Sequence, residues 1–503
     1  MAVDTVLEKS VSRLASGGGW RAVLVFVALA ASAAVLLASF STSASVPTWF
    51  SIYSSSSSSS ISSASARPPV ATPAAVEASG GEKVAPLGAY GPASADFSSV
   101  SIVDKPPTTN IPYSRSCSSI SLERDLQLLD AKEEIARAPP LLNDSDLHAP
   151  LFLNVSAFKR SYELMEKILK VYVYKEGEKP LCHTPELEGI YASEGWFMKL
   201  MEENKHFVVH DPDKAHLFYL PYSSRQLRMH LYVPDSHSMQ PLSIFLRDYV
   251  NLISAKYPFW NRTKGSDHFL VACHDWATYT TKLHEELRRN AIKVVCNADV
   301  SEGIFLRGKD VSLPETYVKM PKDLHGFVGG KPASQRPIFA FFAGQMHGRV
   351  RPVLVEHWKG KDSDMQIYEV LPAAVARRMS YIEHMKSSRF CICPMGYEVN
   401  SPRIVEAIHY ECVPVIIADN FVLPFEELLD WTAFSVVVPE KEIPNLKKIL
   451  KGISERQYTR MQTNVKKLQR HFLWNSEPVK YDLFHMILHS VWFSRLNQMN
   501  TNA

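Results

Sequence analysis

The sequence lacks a large excess of charge of either sign. Its 503 residues include 55 Lys and Arg against 52 Asp and Glu, a formal net charge of +3. So small a balance argues against nucleic acid as a partner, because that binding depends on many phosphate contacts. Cysteine is also scarce, and its seven copies are an odd number. At least one cysteine therefore stays unpaired, or pairs outside the chain, in an oxidising compartment.

Charge is missing altogether from Ala22–Phe40, and no Lys or Arg occurs between Arg21 and Arg67. As a helix this run would be about 28 Å long, close to the hydrocarbon thickness of a bilayer. The charge asymmetry predicts a transmembrane signal anchor at 22–40, with residues 1–21 in the cytosol and the remainder across the membrane. A cleaved signal peptide is the alternative, because small residues follow the apolar run.

The segment 41–145 is predicted to be a disordered stem. It contains the unbroken serine run Ser54–Ser60 in a Ser/Ala/Pro-rich context with too little apolar content to fold. N-glycosylation acceptors occur beyond the anchor at Asn143, Asn154 and Asn261. An anchor, a stem and a large folded head are the layout of an enzyme that faces the Golgi lumen.

The head is predicted to be α/β, because apolar strand-like runs alternate with amphipathic helical segments. Its length fits two domains, which we place at 146–335 and 336–475, followed by a C-terminal helix or tail at 476–503. The strand-like runs of the head are Lys170–Tyr174, Phe207–Val209, Leu217–Pro221, Asp267–Cys273, Ile292–Cys296, Ile338–Ala343, Phe390–Pro394 and Val413–Ile417.

The stretch 389–417 predicts a βαβ unit in which Ser401-Pro402 starts the helix between two buried strands. Ligands of open α/β sheets bind beyond the carboxyl ends of the strands, beside helix N-termini. That position holds Glu398, Ser401, Arg403 and Glu406, whose charges suit a phosphate and sugar hydroxyls. The pattern therefore suggests a nucleotide-sugar pocket. An ion pair between Arg403 and Glu406 is the alternative, because these residues are three apart on a helix.

Two further loops carry candidate residues. Gly344, Arg349 and Arg351 follow the strand at 338–343, where a pyrophosphate could be held. The alternative is an ordinary strand–helix loop with solvated arginines.

In the first domain, His274 and Asp275 follow a strand that begins at Asp267. Asp275 is the leading candidate for a general base, and His274 and Asp267 are the next candidates. Adjacent residues on a strand point to opposite faces, so only one of His274 and Asp275 is expected to face the cleft. We predict no metal site: the Asp-x-Asp pairs beginning at Asp144, Asp211 and Asp362 lie in an entry segment, a helix cap and a polar loop.

The residues resemble those of the exostosin-like glycosyltransferases of plants, family 47 of the glycosyltransferases. The resemblance extends from Phe158 to about Trp474. It is carried by the blocks FKRSYELMEKILKVYVYKEG, GIYASEGWFMKLM, DPDKAHLFYLP, DHFLVACHDW, FFAGQMHGRVR and CICPMGYEVNSPRIVEAIHYECVPVII. Many members carry Gly-Asp-x-Pro-Ser-Ser before the last helix, where this chain has Gly396-Tyr397-Glu398-Val399-Asn400-Ser401.

The resemblance implies a single-pass type II Golgi membrane protein of GT-B architecture, with two Rossmann-like domains that face a cleft. It implies inverting transfer of a hexose or pentose from a nucleotide diphosphate, usually UDP, to a cell-wall polysaccharide or glycan, without an obligatory metal. The donor would bind the C-terminal domain, with Glu406 at the ribose and Arg403 and the 344–351 loop near the diphosphate.

Two other functions remain open at this point. A glycosidase would also use paired carboxylates, yet it has no use for phosphate-binding arginines. A catalytically inactive Golgi protein that binds glycans, or assembles a complex of glycosyltransferases, would retain the same fold.

Overall fold

A computed structural model describes the backbone of residues 116–141 and 144–499, and side chains from residue 123 onward within those ranges. The predicted cytosolic tail, the anchor at 22–40 and Asn143 lie outside the described residues. Within the described ranges no helix combines the length and apolar character that a bilayer crossing needs.

The first lobe is built on a parallel five-stranded sheet with the strand order β1-β2-β3-β4-β5. Strands β2, β3 and β4 are buried on both faces, which explains their unbroken apolar character. The elements in chain order are α1 (Ser116–Ala136), α2 (Val155–Ile168), β1 (Val171–Val173), α3 (Ala192–Glu202), β2 (Leu217–Leu220), α4 (Ser224–Leu231), α5 (Gln240–Lys256), α6 (Pro258–Thr263), β3 (His268–Ala272), α7 (Ala277–Thr280), α8 (Glu285–Arg289), β4 (Ile292–Val295) and β5 (Val311–Ser312).

The second lobe contains another parallel five-stranded sheet, with the order β10-β9-β8-β6-β7. Its elements are β6 (Ile338–Ala343), α9 (Val350–Trp358), β7 (Met365–Tyr368), α10 (Ala373–Ala376), α11 (Tyr381–Ser387), β8 (Ser388–Pro394), α12 (Pro402–His409), β9 (Val413–Ile417), β10 (Val436–Val437), α13 (Leu446–Lys451) and α14 (Glu455–Leu468). Short 3-10 helices connect elements in both lobes at Ala149–Leu151, Pro212–Lys214, Val300–Glu302, Ala333–Gln335, Trp431–Ala433, Glu440–Asn445 and Gln469–Phe472.

The last helix, α15 (Leu483–Gln498), returns from the second lobe to pack on β4, β5 and α2 of the first lobe. The Asp482 side chain caps it by accepting from the His485 backbone N–H. Inside the packed face, His489 Nε2 lies 2.8 Å from the Ser161 hydroxyl. Helix α15 therefore belongs structurally to the first lobe.

The α/β prediction is confirmed, and so is the βαβ unit: β8, α12 and β9 fall where it was predicted. The predicted stem is wrong at its C-terminal end, because α1 lies within 41–145 and contacts α2 and α15. Leu128 and Ala131 of α1 are buried, and the Arg124 guanidinium donates to the Ala215 carbonyl at 2.7 Å. This helix has apolar residues to bury, which the serine-rich part of the stem lacks.

Candidate active site between the two lobes

Side chains that follow the strands of one lobe bond directly to side chains of the other. Asn297, just after β4, donates to the Glu398 carboxylate at 2.7 Å. Asn400 donates to the carboxylate of Glu315, a few residues after β5, at 2.8 Å. All strands of each sheet are parallel, so polar loops at the carboxyl ends gather at one edge of each sheet. The two polar edges therefore meet at the junction of the lobes.

Arg403, in the first turn of α12, is only partly satisfied by the protein. Its Nη2 donates to the Ala343 carbonyl at 3.1 Å, and the guanidinium lies 5.2 Å from the centre of the Phe342 ring. Its Nε is buried and has no hydrogen-bond partner among the described residues. A Cβ on Gly344 would collide with this guanidinium, so a larger residue there would displace the arginine side chain from its present position.

The alternative of a helix-start ion pair is wrong. Glu406 accepts a hydrogen bond from the Tyr381 hydroxyl at 3.1 Å, and no salt bridge joins it to Arg403 within 144–499. Burial raises the pKa of Glu406, although the nearby Arg403 and Lys319 oppose that change. Glu406 also lines a cavity together with Thr316, Lys319, Phe327, His409, Tyr410 and Trp474.

The two arginines of the glycine loop have different environments. Arg351 is buried, and it donates to the carbonyls of Met395 at 3.1 Å and Gln345 at 3.0 Å. Burial and the neighbouring Arg403 charge lower its pKa to about 10. Arg349 instead forms a bidentate pair with Glu440, at 2.9 and 2.7 Å. The structure therefore brings Arg351 and Arg403 together, while Arg349 is already held by a carboxylate.

Ser401 occupies the N-cap position of α12, as predicted, and Pro402 is the first helical residue. Within the part of the chain that the structure describes, its side chain accepts no capping hydrogen bond, and its buried hydroxyl has no hydrogen-bond partner. Four other buried polar atoms of this region lack a partner as well: Asn297 Oδ1, Thr316 Oγ1, Asn400 Oδ1 and Arg403 Nε. Buried polar groups are normally hydrogen-bonded, so this cluster indicates a place for a polar ligand.

The three first-lobe candidates lie at different ends of β3. Asp267 precedes the strand, at the edge opposite to the junction of the lobes, and its carboxylate accepts from Arg262 at 2.6 Å and His268 at 2.7 Å. Burial alone would raise its pKa, but His268 and Arg262 hold the pKa well below its usual value. Asp267 is therefore a structural ion-pair residue, and its prediction as a base was wrong.

His274 and Asp275 follow β3 at the junction side. The Nδ1 atom of His274 accepts from the Trp276 backbone N–H at 3.1 Å, so the neutral ring carries its proton on Nε2 and has no free acceptor there. Burial and two nearby arginines lower the pKa of His274 to about 4. Burial raises the pKa of Asp275, and the Tyr191 hydroxyl partly opposes this rise. Asp275 is thus the better base of the two.

Sequence reasoning missed Glu315, Asn297 and Asn400 as site residues. Burial and the Asp275 charge raise the pKa of Glu315 to about 8, against the opposing effects of Asn400 and two arginines. Burial, Glu302 and Asp275 raise the pKa of Glu398 to about 8. Position was an available signal for Asn297, which directly follows the predicted strand at 292–296, but not for Glu315, because β5 is too short to be predicted from the sequence.

A disulfide between Cys273 and Cys296 joins the carboxyl ends of β3 and β4. The bonded residues lie two positions before Asp275 and one before Asn297, so the cross-link holds both loops at the same edge. A second disulfide joins Cys391 of β8 to Cys412, which precedes β9. Within the described residues Cys182 and Cys393 are free and buried.

The Asp-x-Asp pairs are local turns in the structure. Asp144, Asp211 and Asp362 each accept a hydrogen bond from the backbone N–H two residues later. Two glycosylation acceptors lie at the surface: Asn154 is the exposed N-cap of α2, and Asn261 is exposed on α6. The Asn261 amide also donates to the Ser254 carbonyl at 2.9 Å.

Two parallel α/β sheets meet at a polar junction between their carboxyl ends, where Arg351 and Arg403 and several unpartnered polar atoms would suit a polar, anionic ligand. Residues 165–453, more than half of the chain, match the family described as Exostosin GT47 domain. A probable glycosyltransferase of Arabidopsis thaliana is 47% identical over 75% of this chain and 72% of its own length. The chain therefore belongs to the exostosin GT47 family of glycosyltransferases.

More distant relatives have more specific names. A probable beta-1,4-xylosyltransferase of Arabidopsis thaliana is 30% identical over 64% of this chain and 81% of its own length. A probable glucuronosyltransferase of Oryza sativa subsp. japonica is 27% identical over 64% and 77%. The solved structure of TarM overlaps 46% of this chain and 55% of its own at a TM-score of 0.25 and 10% identity, too weak a likeness to bear on the fold.

Proposed function

We propose that this chain is an inverting glycosyltransferase of GT-B type that transfers a sugar from a UDP-sugar to a cell-wall polysaccharide or glycan. The observation that carries this proposal is the pair Arg351 and Arg403, brought together at the carboxyl ends of the second sheet. Arg403 Nε is buried and has no hydrogen-bond partner within 116–141 and 144–499. A diphosphate would satisfy it and balance both charges.

The nucleoside would lie beside Glu406. This carboxylate is at the wall of a cavity whose lining also includes the aromatic side chains of Phe327, Tyr410 and Trp474. A carboxylate accepts hydrogen bonds from vicinal ribose hydroxyls, and apolar side chains suit a base. Ser401, with its unpartnered hydroxyl, and the N-terminus of α12 would add donors near the phosphates.

The reaction would be a single displacement at the anomeric carbon. Asp275 would remove the proton from the acceptor hydroxyl as that oxygen attacks, and the bond to the diphosphate would break on the opposite face. The raised pKa of Asp275 brings it closer to neutral pH and makes it a stronger base. Arg351 and Arg403 would stabilise the charge that develops on the leaving UDP. In this scheme no metal ion is obligatory.

The proposed location is the Golgi membrane, with the chain inserted as a single-pass type II protein through residues 22–40 and the head in the lumen. The charge asymmetry around the apolar run supports this orientation. The exposed sequons at Asn154 and Asn261 are compatible with a luminal head. Glycosidase digestion of the protein from its native membrane would lower its apparent mass if these sites are modified, and no mass change would contradict a luminal head.

The experiment that tests the transferase uses purified full-length protein with a panel of UDP-sugars and wall oligosaccharides, in excess EDTA. We expect thermal stabilisation by UDP, since a ligand that binds only the folded state raises its stability. We also expect transfer with inversion from one or more donors. Absence of UDP binding would contradict the proposal, and activity lost to EDTA and restored by a divalent metal would contradict its metal-independent form.

A further inference from the structure

An arginine that lies over two aromatic rings is next to the proposed base. Arg228, on α4, has its guanidinium carbon 5.3 Å from the centre of the Tyr232 ring and 5.8 Å from that of Trp276. The two rings are 4.8 Å apart. We call these three residues the arginine shelf. Trp276 follows Asp275 directly, so the shelf adjoins the position where the acceptor hydroxyl would react.

The shelf continues toward the junction of the lobes. Tyr191, whose hydroxyl faces Asp275, packs on the His274 ring at 4.8 Å. Arg225, one turn before Arg228 on α4, lies 5.7 Å from the centre of the Tyr191 ring. Aromatic faces and cations thus form one wall that leads away from the Asp275 carboxylate.

The two arginines of this wall differ in their partners. Arg225 is paired with Glu186. Among the residues at 123–141 and 144–499, no carboxylate lies within ion-pair distance of Arg228, and no protein group accepts a hydrogen bond from it. Contact with the faces of two aromatic rings positions a guanidinium and leaves its N–H groups free to donate to another partner. Arg228 therefore presents free N–H donors whose spacing matches the two oxygens of a carboxylate.

We propose that the arginine shelf is an acceptor subsite for a sugar carboxylate, and that the acceptor is a uronate-bearing polysaccharide. The inference rests on the proposed transferase function, because it takes Asp275 as the point where the acceptor reacts. The ring faces of Tyr232 and Trp276 would pack against the apolar face of the sugar. A neutral sugar would fill the same space but would leave the oriented donors of Arg228 without a charged partner.

The test compares a galacturonate hexasaccharide with its methyl ester, which has the same backbone without the charge. Binding to the purified full-length protein would be measured by calorimetry, with a glucuronate-substituted xylan fragment as a second acid. We expect one of the acids to bind at least about tenfold more tightly than its ester, the order of one charge-assisted hydrogen bond. The acid that binds identifies the kind of uronate. Equal binding of acids and esters to the wild type would overturn the proposal.

Three variants assign the preference to the shelf. Arg228→Ala should abolish the difference between acid and ester, and Arg228→Lys, which lacks the planar fork, should retain only part of it. Arg456→Ala removes an exposed arginine of α14 and should leave the preference intact. An undiminished preference in Arg228→Ala would refute the assignment. The comparison of acid and ester on the wild-type protein tests the proposal by itself, even if a variant misfolds.

UDP binding, measured on the same samples, distinguishes failure of this inference from failure of the proposed function. Arg228→Ala should bind UDP like the wild type, since Arg228 is on the first lobe and the proposed phosphate-binding arginines are on the second. Loss of uronate preference together with intact UDP binding supports the subsite. Uronate preference in a wild type that does not bind UDP would refute the transferase while leaving a uronate-binding surface at Arg228.

Discussion

Replacing Arg403 by alanine is expected to slow catalysis strongly while leaving the fold nearly as stable. The side chain makes one hydrogen bond, to the Ala343 carbonyl, and its buried Nε is unpaired. A charged hydrogen bond contributes about 1.5–3 kcal/mol, and an unsatisfied buried donor costs about 1–3 kcal/mol. The two nearly cancel, so the net change in unfolding free energy should be within about 1 kcal/mol.

The effect of Arg403→Ala on the reaction should be much larger. Removing one donor that stabilises developing charge costs on the order of 3 kcal/mol in the transition state. This corresponds to a decrease in kcat of about 100- to 1000-fold, because each 1.36 kcal/mol is a factor of ten. The assay is UDP-sugar hydrolysis or transfer by full-length protein, together with a thermal unfolding curve.

A matched control uses another arginine of the second lobe. Arg389 lies over the Tyr458 ring and pairs with Glu455 at the surface, so Arg389→Ala should retain activity within about threefold. Retention of wild-type kcat by Arg403→Ala, or the same loss in the Arg389 variant, would refute the reasoning. Unfolding of the Arg403 variant would show that the guanidinium supports the lobe instead of a ligand.

Four further outcomes are expected. Gly344→Ala should push the facing guanidinium out of position, so UDP affinity should fall at least about tenfold in calorimetry with little change in melting temperature; unchanged affinity would contradict this. Asp275→Asn should lower kcat by about 100-fold or more at unchanged UDP affinity, and near-normal turnover would remove it as the base. The folded-state pKa of Glu398, about 8, lies above its ordinary 4.5, so its contribution to stability is complete below pH 4.5 and is lost as pH rises through 8. The melting temperature should therefore fall between pH 5 and pH 8, and Glu398→Gln should reduce that fall; an identical profile would oppose the assignment. Replacing Cys273 and Cys296 by serine opens a 23-residue separation and should cost about 3 kcal/mol of unfolding free energy in denaturant titration, with no cost expected if the bond is absent.

Local patterns were sufficient to predict the long, regular elements. The strand at Val413–Ile417 and the helix after Ser401 were placed from apolar runs and helix-start residues, and both lie there in the structure. Short strands were missed. β5 and β10 have two residues each, too few to show a period, and only their neighbours in the sheet make them strands.

The positions of the candidate residues relative to the strands could be predicted from the sequence, but their hydrogen-bond and ion-pair partners could not. From the sequence, Arg349 and Arg351 were equally good candidates for binding a pyrophosphate, because their neighbours along the chain do not distinguish them. Their environments diverge through contacts far along the chain: Glu440 holds Arg349, whereas Arg351 is enclosed by the loop after β8. The same holds for Asp267. Its position at the amino end of β3 could be predicted from the sequence, but its ion pairs could be seen only in the structure.

The sequence by itself determined the alternation of strands and helices, the places where the strands end, and the chemical types of residue that follow them. These depend on near neighbours, through side-chain periodicity and helix capping. Only the tertiary structure decided that Glu315 meets Asn400 and that Asn297 meets Glu398, across 85 and 101 positions of the chain. Burial at that junction raises the pKa of both carboxylates, and the enclosed environment that causes this exists only once the two lobes have packed together.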